Sequence, residues 1–218
     1  MEEENQNNLI SKTFFWMFLG LLGSAVIAWY TYASGLYIDI IFKGYFNILL
    51  FLELVVVILF SWLFRKLSPT IVGILYFLYS MINGVFLSVI FIVFELSSVV
   101  WLFIASAVLF GGMAFFGYKT NKDLSNWRTL LFGVLIIGLI LSLINIFFGN
   151  SMLDIIIDWV ILLVFFGITA YDMNQLKQLQ YDEGLDKNKL HIYGAMQLYL
   201  DFVNIFLRVL ALFGKRRD

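Results

Sequence analysis

The chain has no cysteine, one proline, one histidine and few charges, and each scarcity closes off a class of function. Without cysteine there are no disulfides, no thiol nucleophile and no thiolate metal site. His191 stands alone, which leaves no clustered-histidine metal centre and no H-E-x-x-H zinc-protease pattern. At the start of the last apolar run it reads as a structural residue. An intramembrane serine protease needs an inward-facing base beside its serine, and the only histidine lies at the rim. A retinal protein needs a lysine in its last helix, and none lies between Leu190 and Gly214. Pro69 is the sole proline, so the proline-kinked helices typical of G-protein-coupled receptors are missing as well. We therefore expect no covalent or metal-dependent enzyme and no cofactor. Charged residues make up 13% of the chain and sum to −1, which offers nothing to a nucleic acid.

What the chain does contain is apolar. Hydrophobic residues make up 62% of it and aromatic residues 19%. A soluble domain is nearer half apolar and a quarter charged, so this composition belongs to an integral membrane protein. The first twelve residues are polar and acidic, without the positive start of a cleaved secretory signal. Hydropathy gives seven runs near Thr13–Ala33, Tyr45–Phe64, Thr70–Phe94, Val99–Tyr118, Thr129–Phe148, Met152–Tyr171 and Leu190–Phe213. Each is long enough, at roughly 17 to 25 residues, to cross about 30 Å of hydrocarbon. The expected organisation is a polar tail over 1–12, one seven-helix domain over 13–214 and a basic tail over 215–218. Pro69 suits a helix start. Gly20 and Ser24, four apart, suit the close approach of a neighbouring helix. Connections are short except for Asp172–Lys189, so successive helices are expected to be antiparallel neighbours.

Orientation follows from the basic residues. Lys12, Arg65, Lys66, Lys119, Lys122, Arg128, Lys177, Lys187 and Lys189 gather on one side, and before the C-terminus only Lys43 falls on the other. That bias puts the N-terminus in the cytoplasm. Seven crossings then leave Lys215, Arg216 and Arg217 outside, against the same rule. Either the last segment is re-entrant, or the earlier crossings fix the orientation and the terminal charges are tolerated; a long apolar span favours the second.

An ionisable group at membrane depth is costly and faces protein or water, not lipid. In the last helix Gln197, Asp201, Asn204 and Arg208 share one narrow arc, and the remaining residues are almost all apolar. The sixth run carries a second stripe of Asp158, Thr169 and Asp172, with Asp154 near its start. Glu53 lies in the second run, Asn83 in the third and Asn145 in the fifth. If the sixth helix continues to Leu179, Asp172 lies roughly 10 Å inside that end, and Asp201 lies roughly 16 Å from the start of the last helix at the same face. The two carboxylates are then able to meet. In a low-dielectric site they cannot both ionise cheaply, so such a pair takes up a proton near neutral pH and acts as a proton sensor or relay. Arg65, entering from the same face, is the natural counter-ion for the carboxylate left charged.

The run from Gly117 to Ser125, GYKTNKDLS, resembles a signature of the Bax inhibitor (transmembrane Bax inhibitor motif) family. Ala170-Tyr171-Asp172 and the stretch Leu198–Leu207 resemble its other two blocks, in the right order. Small size and short tails look like the bacterial branch, which places the chain in a bacterial inner membrane. The resemblance implies a central last helix wrapped by six others and a pH-dependent calcium leak. Calcium is then the transported ion, and the positions of Asp172 and Asp201 form the family's aspartate pair, with transient calcium contacts. Arg65 matches the arginine that latches the sixth-helix aspartate in the closed form. Two other readings stay open: a modulator of a membrane protease, and a proton-coupled cation exchanger.

Overall fold

The computed structural model describes residues 2–43, 45–181 and 186–217. Among these the chain forms nine helices and no strand, apart from one isolated bridge between Phe94 and Arg216. They are α1 (Glu2–Ala33), α2 (Leu36–Phe42), α3 (Tyr45–Leu63), α4 (Pro69–Leu87), α5 (Ile90–Val93), α6 (Leu96–Lys119), α7 (Ser125–Phe148), α8 (Ser151–Leu179) and α9 (Lys187–Phe213). Six stretches among the described residues are long and apolar enough to span a membrane: Asn7–Ala33, Pro69–Val93, Leu96–Lys119, Ser125–Phe148, Ser151–Leu179 and Lys187–Phe213. The remaining run expected from hydropathy forms α3, several of whose side chains, Glu53 among them, lie outside the described residues.

Helix ends follow local chemistry. Pro69 opens α4 behind Ser68, whose side chain accepts from the Ile71 N–H. Asn150 caps α8 by accepting from the N–H groups of Met152 and Leu153 at 3.0 and 3.2 Å. Gly149 closes α7 at φ +62°, a left-handed conformation that glycine adopts without a Cβ penalty. Helix α1 extends back to Glu2, ahead of the apolar run that starts near Thr13. The third run divides after Leu87, where Ser88 turns its hydroxyl onto the Val85 carbonyl at 2.6 Å and its N–H bonds i−3 and i−4 carbonyls together. Such side-chain back-bonding bends a helix without proline.

The chain divides into two compact units, and α9 contributes its first half to one and its second half to the other. The first holds α1 to α5 and α9 as far as Tyr199. There α1 and α4 meet through small residues: a Cβ on Gly84 would lie 2.7 Å from the Ser24 carbonyl, and one on Gly20 would strike the Tyr76 hydroxyl. Ser24 also hydrogen-bonds the Ser80 carbonyl at 2.7 Å and the Tyr199 hydroxyl at 2.6 Å. The small-residue spacing in the first span thus does what it suggested.

The second unit holds α6, α7, α8 as far as Gln178, and α9 from Leu200. Helix α8 is its organising element, because three glycines let its neighbours pack tightly. A Cβ on Gly117 of α6 would fall 2.2 Å from the Ala170 carbonyl oxygen, with no room for any side chain. Gly138 of α7 faces Ile161, and Gly167 of α8 faces Leu131. Here the C-terminal tail is also fixed: the Glu95 N–H donates to the Lys215 carbonyl at 2.9 Å, and Lys215 pairs with Glu95 at 2.7 Å. Those residues flank the start of α6, so the tail lies at the end of α6 opposite Lys119. Within the first unit, Arg217 bonds the Tyr32 hydroxyl at 2.6 Å and the Phe91 carbonyl at 3.0 Å.

Gly117→Ala should therefore destabilise the protein by about 1–3 kcal/mol, the usual cost of overpacking. Gly112→Ala on the same helix, where a new Cβ meets nothing within 4 Å, serves as the control. Thermal unfolding in detergent should show a lowered Tm for the first and an unchanged or slightly raised Tm for the second, since alanine is the better helix former.

Candidate functional site

The second unit brings the two acidic stripes together. Asp172 of α8 and Asp201 of α9 are both buried, at 7% and 2% exposure. Asp172 is the charge that acts on the Asp201 carboxyl, and Thr169, one turn before Asp172, is its hydrogen-bonding neighbour. The Thr169 hydroxyl donates its proton to the Phe165 carbonyl at 2.8 Å. Oδ2 of Asp201 is buried with no hydrogen-bond partner among the described residues. Within this unit the charge of Arg128, in the first turn of α7, acts on Asp172.

The opposite end of the seam is an ion pair. Arg208 Nη1 donates to Asp158 Oδ1 at 2.5 Å, with the two side chains 30% and 17% exposed. From Asp158 to Thr169 the rise along α8 is about 16 Å, whereas from Arg208 back to Asp201 along α9 it is about 10 Å. The long arginine side chain makes up the difference, which is why these antiparallel helices engage at both places. Between them Asn204 turns inward on its own helix, donating to the Leu200 carbonyl at 2.8 Å.

Other residues singled out from the sequence are described within their own units. Asn145 is buried and donates to Asp154 Oδ1 at 2.6 Å and to the Asn150 carbonyl at 2.9 Å, fastening the α7–α8 turn. Asn83, half-buried on α4, donates to the Tyr79 hydroxyl at 3.3 Å. Gln197 is half-buried in the part of α9 that belongs to the first unit. Arg65 is exposed in the turn between α3 and α4.

The connection from α6 to α7, carrying the GYKTNKDLS run, is held by the end of α8. Asn174 donates to the Lys122 carbonyl at 3.3 Å and accepts from the Leu124 N–H at 3.3 Å. Lys177 reaches the carbonyls of Tyr118 at 2.6 Å and Thr120 at 3.3 Å. Leu124 packs with Ala170 and Tyr171 in a buried cluster beside Asp172. Asp123 caps α7 by accepting from the Ser125 N–H at 2.8 Å. That N–H first, then the Gln178 amide and the Ser125 hydroxyl, hold its carboxyl below the usual carboxylate range. Asp123 therefore stays ionised through mildly acid pH, and its cap is lost only as pH falls through that lowered range.

Sequence reasoning assigned no site role to Arg128 or Asn174, and it missed the burial of Lys189. Asn174, Lys177 and Gln178 do share one face at i, i+3 and i+4, which marks a polar face turned toward a partner. Lys189 is buried, and its ammonium donates to the Arg65 and Leu67 carbonyls at 3.0 and 2.7 Å. Nothing local signals this, because both acceptors lie more than a hundred residues away.

Comparison with known proteins identifies the family. The family model described as "Inhibitor of apoptosis-promoting Bax1" matches residues 6–218. The inner membrane protein YbhL of Escherichia coli K12 is 36% identical over 214 residues, covering 95% of this chain and 92% of that protein. An uncharacterised protein of Borreliella burgdorferi is 35% identical over 219 residues, covering 98% and 94%. The uncharacterised protein RP147 of Rickettsia prowazekii is 31% identical over 220 residues, covering 99% and 93%. The carboxyl pair, the fastened GYKTNKDLS loop and similarity along nearly the whole length have one reading: this chain is a membrane protein of the Bax inhibitor family.

Proposed function

We propose that the protein is a pH-sensitive calcium leak whose gate is the Asp172–Asp201 pair. On this reading it has seven crossings, α3 being the seventh, with α9 as the axis and the N-terminus in the cytoplasm of a bacterial cell. The high burial of α9 supports that place for it: 56% of its apolar stretch is buried, against 44% in α8 and 11% in α7. The observation that carries the functional reading is the burial of two carboxyls on α8 and α9, the charge of one acting on the other, in a protein with 13% charged residues.

Protonation supplies the switch. Two carboxyls with one proton satisfy each other where two charges would repel. Asp172, when ionised, is steadied by a cation, and the path along the seam is closed. Acid protonates it, that attraction is lost, and the ends of α8 and α9 separate. Tight calcium sites use six to eight oxygens. Asp172, Asp201 and Asn204 supply fewer, which suits an ion that passes and does not stay. The protein thus conducts and does not catalyse.

Calcium efflux from liposomes containing the purified protein tests this. A single titrating group goes from about one tenth to about nine tenths protonated over two pH units, so wild-type flux should rise up to about ninefold with acid across its titration. Asp172→Asn mimics the protonated form and should give high flux at every pH; Asp201→Asn should flatten the profile. Wild-type pH dependence in both variants would remove the gate from this pair. Flux that requires an imposed pH gradient would instead identify an exchanger.

The counter-ion is tested separately. Removing the cation that favours ionised Asp172 makes its protonation easier, so the flux midpoint should move to higher pH, by about half a unit to one unit for an exposed arginine. Arg128→Gln is expected to show this shift. The same measurement on Arg65→Gln decides whether the family's latch also operates here.

A further inference from the structure

We propose that a basic cavity and the apolar groove adjoining it, at the start of α9 in the first unit, bind one anionic phospholipid. The cavity, of about 250 Å³, is lined by Lys12 of α1, by Lys187, Asn188 and His191 of α9, and by Asn8. Neither lysine has an ion-pair partner among the described residues, and both present their charge to the cavity. The groove, of about 650 Å³, is lined by Trp16, Ile74, Phe77 and Met81 among others, and it shares Asn188 and His191 with the cavity. The two volumes therefore meet at those two residues.

Their stacking follows the order of a lipid's parts, a polar headgroup and then an acyl chain. Trp16 follows Lys12 by four residues on α1, and His191 follows Lys187 by four on α9. Each step is one helical turn, about 6 Å along the axis. On both helices the sequence runs from a lysine at headgroup level to an aromatic or imidazole ring at the mouth of the groove. Trp16 packs against Phe77 and His191, with ring centres 5.3 and 5.9 Å apart, so the wall between the two levels is preformed. A phosphate fits between ammonium groups and side-chain amides, and an acyl chain fits an apolar trough that opens beside it. A free phosphate uses the first volume only; a zwitterionic headgroup gains little from the lysines. Basic pockets between spanning helices are a recurring form of anionic-lipid recognition.

The test uses the full-length protein in mild detergent, with phosphatidylglycerol, phosphatidylcholine or inorganic phosphate added, and native mass spectrometry to count what stays bound. Phosphatidylglycerol should be retained in preference to phosphatidylcholine. At about 1 kcal/mol per basic residue near the headgroup, Lys12→Gln and Lys187→Gln should each weaken retention about fivefold and the double variant about 25-fold. Lys66→Gln removes an exposed charge in the α3–α4 turn, outside the cavity, and should have little effect. Ile74→Asn, on an exposed groove position, should weaken phosphatidylglycerol and leave phosphate binding as it was. Circular dichroism of each variant establishes that it is folded. Equal retention of the two lipids, wild-type retention by the double lysine variant, or an equal loss in Lys66→Gln would overturn the proposal. Phosphate binding that depends on the same lysines, with phosphatidylglycerol no tighter, would reduce the site to a free-anion pocket and overturn it too.

Discussion

A charge placed inside a hydrocarbon layer has no water to turn to, so another part of the protein must answer it. That constraint organises α8 and the second half of α9. Asp158 is answered by Arg208 at 2.5 Å. Asp201 is buried, with Thr169 as its hydrogen-bonding neighbour and the Asp172 carboxyl near enough for its charge to act on it. Helices in lipid gain little from apolar contact alone, because lipid is as apolar as they are. What fixes α8 against α9 is therefore the need of each polar group for one particular partner.

Close approach makes those partnerships possible. Gly117 brings α6 to the backbone of Ala170, two residues before Asp172, and leaves no space for even a methyl group. The same turn of α8 is then fastened from outside, where Asn174 and Lys177 bind four carbonyls and one N–H of the α6–α7 connection. The GYKTNKDLS run thus reads as a buckle. Gly117 permits contact, Leu124 fills the cluster beside Tyr171, and Asp123 starts α7 so that Arg128 sits in its first turn. A change in that loop reaches Asp172 through packing, without any of its residues lining the seam.

The spanning segments were legible because their apolar runs outlast any soluble helix, and α8 does continue to Leu179 through its amphipathic end. The meeting of the two acidic stripes could be anticipated from depth along antiparallel rods, since rise per residue is the same in every helix. What could not be read depends on partners far away in the chain. The short helix α2 lacks a repeating apolar face, and the break after Leu87 rests on one serine hydroxyl among many. Arg128 looked like any other positive anchor. Lys189 did too, although its charge is met by carbonyls freed where α3 ends. Sequence patterns report where a helix must be buried; they report poorly on which distant group a single long side chain will find.

The two ends of the seam differ in kind, and that difference gives the proposed gate its direction. At one end a guanidinium meets a carboxylate directly, Arg208 on Asp158. The carboxyl end is different: its partners are another acid, a hydroxyl already committed to Phe165 and a cation on a neighbouring helix. On the proposed reading, a change of protonation acts at the carboxyl end, and α8 and α9 part there, beside the α6–α7 buckle, while the Asp158–Arg208 pair and the tail tied through Lys215 to Glu95 stay in place.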